Sequence, residues 1–286
     1  MGRWDTGRLE TNDGVVLNFT DSGGEGVPLV MLHGWGQTRS MFRGQLEGLS
    51  ADRRIITVDL RGHGESEKPR HGYRIARLAA DLRDVLDHFT LGCVDLLGWS
   101  MGASVLWSYV DIFGSSRVRS LILVDQPATV VAVPWMTPTD QTSAGSILAV
   151  DALVSLAHSM AVDPDGNVVR DFVRGMFTGT VDDDLWAFIA EEVSRTPSYA
   201  AVPLLFDHAT QDWRDVLPLI TVPTLVIGCE GSHVSPQSQL YVASSIPGAE
   251  VHIFPPEVAN SHFPFLENPD AFNAVLTAFL ERTPKT

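Results

Sequence analysis

The stretch Val94-Asp95-Leu96-Leu97-Gly98-Trp99-Ser100-Met101-Gly102, running on into residues 103–109, decides the fold. Residues 94–97 read as a buried strand and residues 103–109 as a helix, and G-x-S-x-G stands between them. In that setting the motif is a nucleophile elbow. The turn is so tight that its serine takes a strained backbone conformation, and a Cβ at either glycine would strike neighbouring backbone. The hydroxyl of Ser100 then stands above the sheet at a helix N-terminus, where the local field favours developing negative charge.

Outward from the elbow, short apolar runs alternate with longer helix-period stretches. The runs cover residues 28–32, 54–59, 94–98, 121–125, 222–228 and 250–254, with helices expected at 41–49, 75–89 and 103–113 and a last one at 269–280. That alternation predicts βαβ units and an α/β fold with a mostly parallel central sheet. An earlier strand near 15–20 alternates apolar and polar residues, as an antiparallel edge strand would. The rhythm breaks after Asp125. Residues 130–213 hold no convincing buried strand but four helix-like segments, at 146–160, 168–177, 183–194 and 201–209, punctuated by Pro134, Pro138, Pro164 and Pro197. We read 130–213 as a helical cap inserted into a core made of 1–129 and 214–286. No internal repeat or low-complexity tract is present.

With 286 residues, 44% hydrophobic and 19% charged, the chain can bury a sizeable core. Twenty basic residues against 35 acidic ones leave a net charge of −15, which argues against nucleic acid or an anionic membrane as a partner and otherwise serves solubility. The two cysteines, Cys93 and Cys229, open one predicted strand and end another, so both are expected as small core residues rather than as a disulfide. The first 21 residues show no apolar signal core and no run approaches a membrane span, so a cytoplasmic protein is expected. Met1-Gly2-Arg3-Trp4-Asp5-Thr6 formally fits an acylation pattern, but no basic patch follows it. Asn18-Phe19-Thr20 fits a glycosylation sequon with no secretion signal to give it meaning. There is no P-loop, dinucleotide fingerprint or clustered Cys/His pattern, so no cofactor and no metal are expected. Nothing in the sequence sets an oligomeric state.

An exposed serine needs a base, and the base needs a carboxylate to fix its tautomer and stabilise its cation. His262, in Asn260-Ser261-His262-Phe263-Pro264, follows the last predicted strand and precedes the last helix, where such a base belongs. His63 lies in an early loop, His88 on a helix and His252 within a strand. Two carboxylates compete for the third place. Asp125 ends the strand after the elbow strand, while Glu230 is the only carboxylate in Gly228-Cys229-Glu230-Gly231-Ser232-His233. Asp125 is favoured, Glu230 is the alternative, and a turn residue before Gln126-Pro127 is the plain structural role for Asp125. Asp59, Asp111 and Asp212 fit less well. Two backbone N–H groups are expected to hold an oxyanion: Met101, just after the nucleophile, and Trp35, in His33-Gly34-Trp35-Gly36. His33 itself is expected to brace its loop.

These pieces, with Asp59-Leu60-Arg61-Gly62-His63-Gly64-Glu65-Ser66, resemble the α/β-hydrolase superfamily over nearly the whole chain, in the superfamily's order. Within it the chain resembles capped esterases, lactonases, carbon–carbon bond hydrolases and cofactor-free haloperoxidases. The resemblance implies that residues 59–66 brace the loops around the site. Most relatives place the acid after the strand that ends near Gly228. A minority, including some lipases and lactonases and the cofactor-independent ring-cleaving dioxygenases, place it where Asp125 stands. The serine at position 100 excludes relatives that use an aspartate nucleophile, such as epoxide hydrolases.

The expectation is therefore a serine hydrolase acting on a small hydrophobic ester or lactone. The expected cap carries Trp135, Met136, Met160, Phe172, Met176, Phe177, Trp186, Phe188 and Phe206, some for its own core and some toward an apolar pocket mouth. Trp35 and Trp99 are further pocket candidates, with packing beneath the elbow the plainer role for Trp99. Two other readings stand beside it: a cofactor-independent dioxygenase acting on a heteroaromatic ring through the His–Asp pair, and a ligand receptor with little turnover.

Overall fold

The computed structural model describes residues 4–284. Its strands are β1 (Asp5–Glu10), β2 (Val16–Asp21), β3 (Leu29–Leu32), β4 (Ile55–Val58), β5 (Val94–Trp99), β6 (Val118–Val124), the two-residue β7 (Val131–Ala132) and β8 (Leu148–Ala149), β9 (Thr224–Cys229) and β10 (Glu250–Phe254). Eight of them form one sheet in the order β1-β2-β4-β3-β5-β6-β9-β10. From β4 to β10 every pairing is parallel, and β2 runs antiparallel to both its neighbours. Every residue of β3, β4, β5, β6 and β9 is buried. Strands covered on both faces are mostly apolar, and the buried Asp95 of β5 is paired with Arg119 and Ser120 of β6.

The helices flanking the sheet are α1 (Arg43–Leu49), α2 (Ile75–His88) and α3 (Met101–Phe113), then, after an interval, α9 (Pro236–Ser245), α10 (Pro264–Glu267) and α11 (Pro269–Arg282). Five more lie between β6 and β9: α4 (Pro138–Ala144), α5 (Val150–Val162), α6 (Asn167–Arg174), α7 (Asp183–Ser194) and α8 (Ser198–Ala209). From β3 the chain moves to β4 on one side and then crosses to β5 on the other. That reversal opens a crevice at the carboxyl ends of β3 and β5, the usual ligand position in an open parallel sheet.

One expectation fails at the edge. The strand near 15–20 exists as β2, but it is not the edge strand; β1 lies outside it. Asp5-Thr6-Gly7-Arg8-Leu9-Glu10 is mostly polar, and of β1 only Leu9 is buried, so no hydrophobic pattern announces it. Its place is set by pairing instead: Gly7 sits opposite Phe19, and a side chain at Gly7 would collide with that ring. Three short helices also escape a periodicity reading. For α4, a capping box between Thr137 and Asp140 and a leading proline supply what an apolar stripe does not. Likewise α9 starts at Ser235-Pro236, and α10 is a single turn.

The helices between β6 and β9 hang from a pinched base. Thr129 forms an antiparallel bridge with Asp212, and the Trp213 N–H donates to the Ala128 carbonyl at 3.0 Å. Within the segment Leu153, Met160, Val173, Ile189, Ala200 and Leu204 are buried, in one hydrophobic cluster with the sheet. It is also bonded to the sheet side. The Trp35 Nε1–H donates to the Ala201 carbonyl at 2.7 Å, the Ile75 N–H to Asp207 at 2.8 Å, and the Thr38 hydroxyl to Glu192. Of its large apolar residues, Met136 and Met160 are buried, Phe172, Met176, Phe177, Trp186 and Phe188 are partly buried, and Trp135 and Phe206 are exposed.

Cys229 is buried at the end of β9, and Cys93 is half-buried just ahead of β5. Among the described residues no helix is long and apolar enough to cross a membrane. The acylation pattern begins at Met1-Gly2-Arg3, outside the described residues.

Candidate active site

Ser100 occupies the turn between β5 and α3 with φ 53° and ψ −124°. A Cβ on Gly98 would come within 2.5 Å of the Ala103 nitrogen, and one on Gly102 would strike the Leu32 carbonyl. Both glycines are thus required for α3 to leave the strand so abruptly and still pack on β3. Among the described non-glycine residues only Thr90, Ser100 and Asp125 have positive φ, the last at 51°. Such conformations cost about 1–3 kcal/mol each and tend to mark functional positions. Two of the three stand side by side, because β5 pairs with β6 so that Trp99 faces Val124. Backbone bonds hold both corners: the Ser100 N–H to the Val124 carbonyl and the Asp125 N–H to the Ile227 carbonyl, each 2.8 Å.

The buried carboxylate of Asp125 accepts a hydrogen bond from His262 Nδ1 at 2.7 Å. That bond places the ring's proton on Nδ1 and leaves Nε2 with a free lone pair. The loop of His262 is fastened to the elbow by Trp99, whose indole N–H donates to the His262 carbonyl at 2.8 Å. Trp99 is itself buried against Phe263 and Phe265, so it packs beneath the elbow and does not line a pocket. Glu230, the competing carboxylate, is exposed, and the structure brings Asp125 rather than Glu230 to the imidazole. Burial pushes Asp125 up and His262 down, each toward its neutral form, while a hydrogen bond from Ser232 pulls Asp125 back.

Two residues of the loop after β9, Ser232 and His233, also meet the pair. The Ser232 hydroxyl donates to Asp125 Oδ2 at 2.5 Å, and the His233 ring meets the His262 ring edge-on at 4.6 Å. A lone serine or histidine in a loop carries no local pattern, so only the fold could reveal them. From the other side, His208 on α8 is buried near enough to His262 to feel its charge.

The loop after β3 comes close to Ser100, since a Cβ on Gly34 would lie 3.1 Å from that of the serine. Its shape is held by two buried histidines. His33 Nδ1 donates to the Gly34 carbonyl at 2.8 Å, and its Nε2 accepts the Leu60 N–H at 3.0 Å. His63 Nδ1 donates to the Arg61 carbonyl at 2.9 Å, and its Nε2 accepts the Gly36 N–H at 3.2 Å. Asp59 accepts the Arg39 and Glu65 backbone N–H groups at 2.8 and 2.9 Å. The two bonds accepted at Nε2 need neutral imidazoles with the ring proton on Nδ1.

Burial lowers His33 from the ordinary 6.5 to about 4, and His63 and His208 to about 3. Below pH 6.5 the unfolded chain binds protons at these three positions and the folded chain does not. Stability is therefore complete above pH 6.5 and is lost as the pH falls toward 4, by up to about 1.4 kcal/mol per pH unit for each histidine. Asp125 and His262 shift in opposite senses and largely offset one another. The urea midpoint is expected to drop steeply from pH 7 to pH 5; a flat midpoint would contradict buried neutral imidazoles.

A cleft of about 770 Å³ is bounded by Gln141, Ile147, Leu148, Phe172, Met176 and His233, among others; Ser100, Asp125 and His262 do not line it, and His233 links it to the His262 ring. Met176 also reaches the histidine loop, its carbonyl 3.5 Å from the His262 nitrogen. Trp35 is buried, with its ring edge-on to Phe172 at 5.8 Å.

A family model described as the alpha/beta hydrolase fold matches residues 27–269. The chain belongs to the α/β-hydrolase family. This α/β hydrolase is 27% identical over 257 residues to the non-heme chloroperoxidase CPO-A1 of Kitasatospora aureofaciens, covering 85% of the chain and 88% of the relative. Among solved structures, it superposes on a bromoperoxidase from Bacillus anthracis with a TM-score of 0.86 at 21% identity, covering 97% and 100% of the two chains. With an esterase from Exiguobacterium antarcticum the TM-score is 0.83 at 25% identity, covering 98% and 100%. The family and these likenesses make the protein a hydrolase by fold, with esterase and haloperoxidase relatives.

Proposed function

We propose that this α/β hydrolase cleaves a hydrophobic carboxylic ester or lactone through an acyl-enzyme on Ser100. The observation that carries the reading is the Asp125–His262 hydrogen bond beside a strained serine elbow. His262 Nε2 takes the Ser100 proton as Oγ bonds to the carbonyl carbon. The imidazolium then gives that proton to the leaving alkoxide as the carbon–oxygen bond breaks. A water, deprotonated by the same nitrogen, adds to the acyl carbon, and the serine leaves with its proton restored.

The oxyanion falls to the N–H groups of Met101 and Trp35. Met101 is the first residue of α3, whose leading N–H groups have no partner within the helix. Trp35 follows Gly34, the residue that lets its loop lie against the serine. In this reading residues 130–213 form a cap, and the cleft between it and the loop after β9 admits the substrate. Ile147, Leu148, Phe172 and Met176 favour an uncharged apolar group there. The acidic balance accords with a cytoplasmic enzyme acting on small molecules.

The test is turnover of short- and medium-chain nitrophenyl esters and one aromatic lactone, with an organophosphate probe to label the nucleophile. The expected result is ester turnover and a single adduct on Ser100; labelling elsewhere, or none, would overturn the reading. A second reading draws on the position of Asp125 after β6: the pair would deprotonate a hydroxylated heteroaromatic ring for attack by oxygen. Oxygen uptake that persists in Ser100→Ala would select it.

A further inference from the structure

The loop after β9 is built around one hydroxyl. The Ser232 N–H donates to the Cys229 carbonyl at 3.3 Å, closing a turn. Gly231 lies so close to Asn260 that any side chain there would collide with the amide, and its carbonyl accepts the Thr178 hydroxyl. The loop is thereby held to both the histidine loop and the stretch after α6. Within this frame Ser232 Oγ accepts the Val234 N–H at 3.1 Å. Its single proton goes to Asp125 Oδ2 at 2.5 Å, the same oxygen that receives His262 Nδ1. A hydroxyl has one proton to donate, and here an incoming N–H orients it toward the carboxylate.

We propose that Ser232 is a positioning residue for Asp125: its hydroxyl keeps the buried carboxylate ionised and aimed at His262, so that Nε2 stays free to take a proton. The inference rests on the proposed role of the Asp125–His262 pair as base and adds a residue to it. Adding a proton to the pair takes it from one negative charge to none. A donor on the carboxylate stabilises the charged side of that step, so losing the donor raises the proton affinity of the pair. Of the groups that favour the ionised carboxylate Ser232 comes first, with His233 and the Cys229 backbone after it. His233, on the same loop, and His208, on α8, are both held neutral by burial. The Cys229 thiol, on β9, is pushed up by burial and by Asp125 itself. Glu267, on α10, spends a carboxylate oxygen on the Asn260 and Ser261 N–H groups, at 2.7 and 3.0 Å.

The experiment compares Ser232→Ala and Ser232→Thr with wild type. A hydrogen bond to a charged group contributes about 1.5–3 kcal/mol, equivalent to about one to two pH units. In Ser232→Ala the acidic limb of kcat/KM is expected to move up by about one pH unit. At neutral pH kcat should fall about tenfold with KM little changed, and Ser232→Thr should restore both. The downfield proton resonance of His262 Nδ1, read without substrate, should show the same upward shift of its titration midpoint. An unmoved limb and resonance in Ser232→Ala, or equal losses in both variants, would overturn the proposal. If wild type turns over no ester but the resonance midpoint still moves, the positioning role stands and the ester reading falls.

Discussion

Ser100→Ala is expected to abolish ester turnover, lowering kcat by roughly 10⁴- to 10⁶-fold, or about 5–8 kcal/mol of transition-state stabilisation. Without Oγ no acyl-enzyme forms, and what remains comes from the oxyanion donors and from binding. KM should change little, because the hydroxyl acts on the reacting carbon rather than on the rest of the substrate. The loss should also be separable from folding. Ser100 stands at the N-terminal cap position of α3, yet its side chain makes no capping hydrogen bond, and alanine meets the same strain at positive φ. A melting temperature equal to wild type, with turnover gone, is the predicted pair of results. Turnover surviving the substitution would remove Ser100 as nucleophile, and with it the acyl-enzyme.

Asp125→Asn is expected to cost about 10⁴-fold in kcat, while Glu230→Gln stays within about twofold of wild type. The reason is tautomeric. Asp125 accepts from His262 Nδ1 and so leaves Nε2 unprotonated. Ser232 and His262 share Oδ2, so an asparagine with its amide in that place would donate to Nδ1, with the Ser232 hydroxyl turned to accept, and the ring proton would move to Nε2. A protonated Nε2 cannot take the serine proton. Glu230 contributes its backbone N–H to the Phe254 carbonyl, but its side chain is exposed to solvent. Steady-state kinetics on both variants at neutral pH decide the matter, and a large loss in Glu230→Gln would reassign the acid.

The elbow was legible because its constraints are local. Gly98 and Gly102 are dictated by backbone a few residues away or on the adjacent strand, and the apolar run before them is what a parallel strand buried on both faces must look like. His262 was legible by its place in the chain order, after the last strand. The edge strand β1 was not, because a polar strand with one buried residue has no hydrophobic period, and its register is held by β2. Trp99 was open to two readings until its indole was seen bonded to the His262 carbonyl.

By itself, the sequence determined the α/β fold, the serine in its elbow and the place of His262 after the last strand. Each of these follows from neighbours in the chain or from the alternation of strand and helix. That Asp125 rather than Glu230 meets His262, that Ser232 bonds the same carboxylate, and that a cleft opens at His233 were decided only by tertiary structure. Asp125 and His262 are 137 residues apart, and Ser232 and Asp125 are 107 apart. Their meeting depends on β6, β9 and β10 lying side by side, and no spacing along the chain records how far a loop will turn before it reaches its partner.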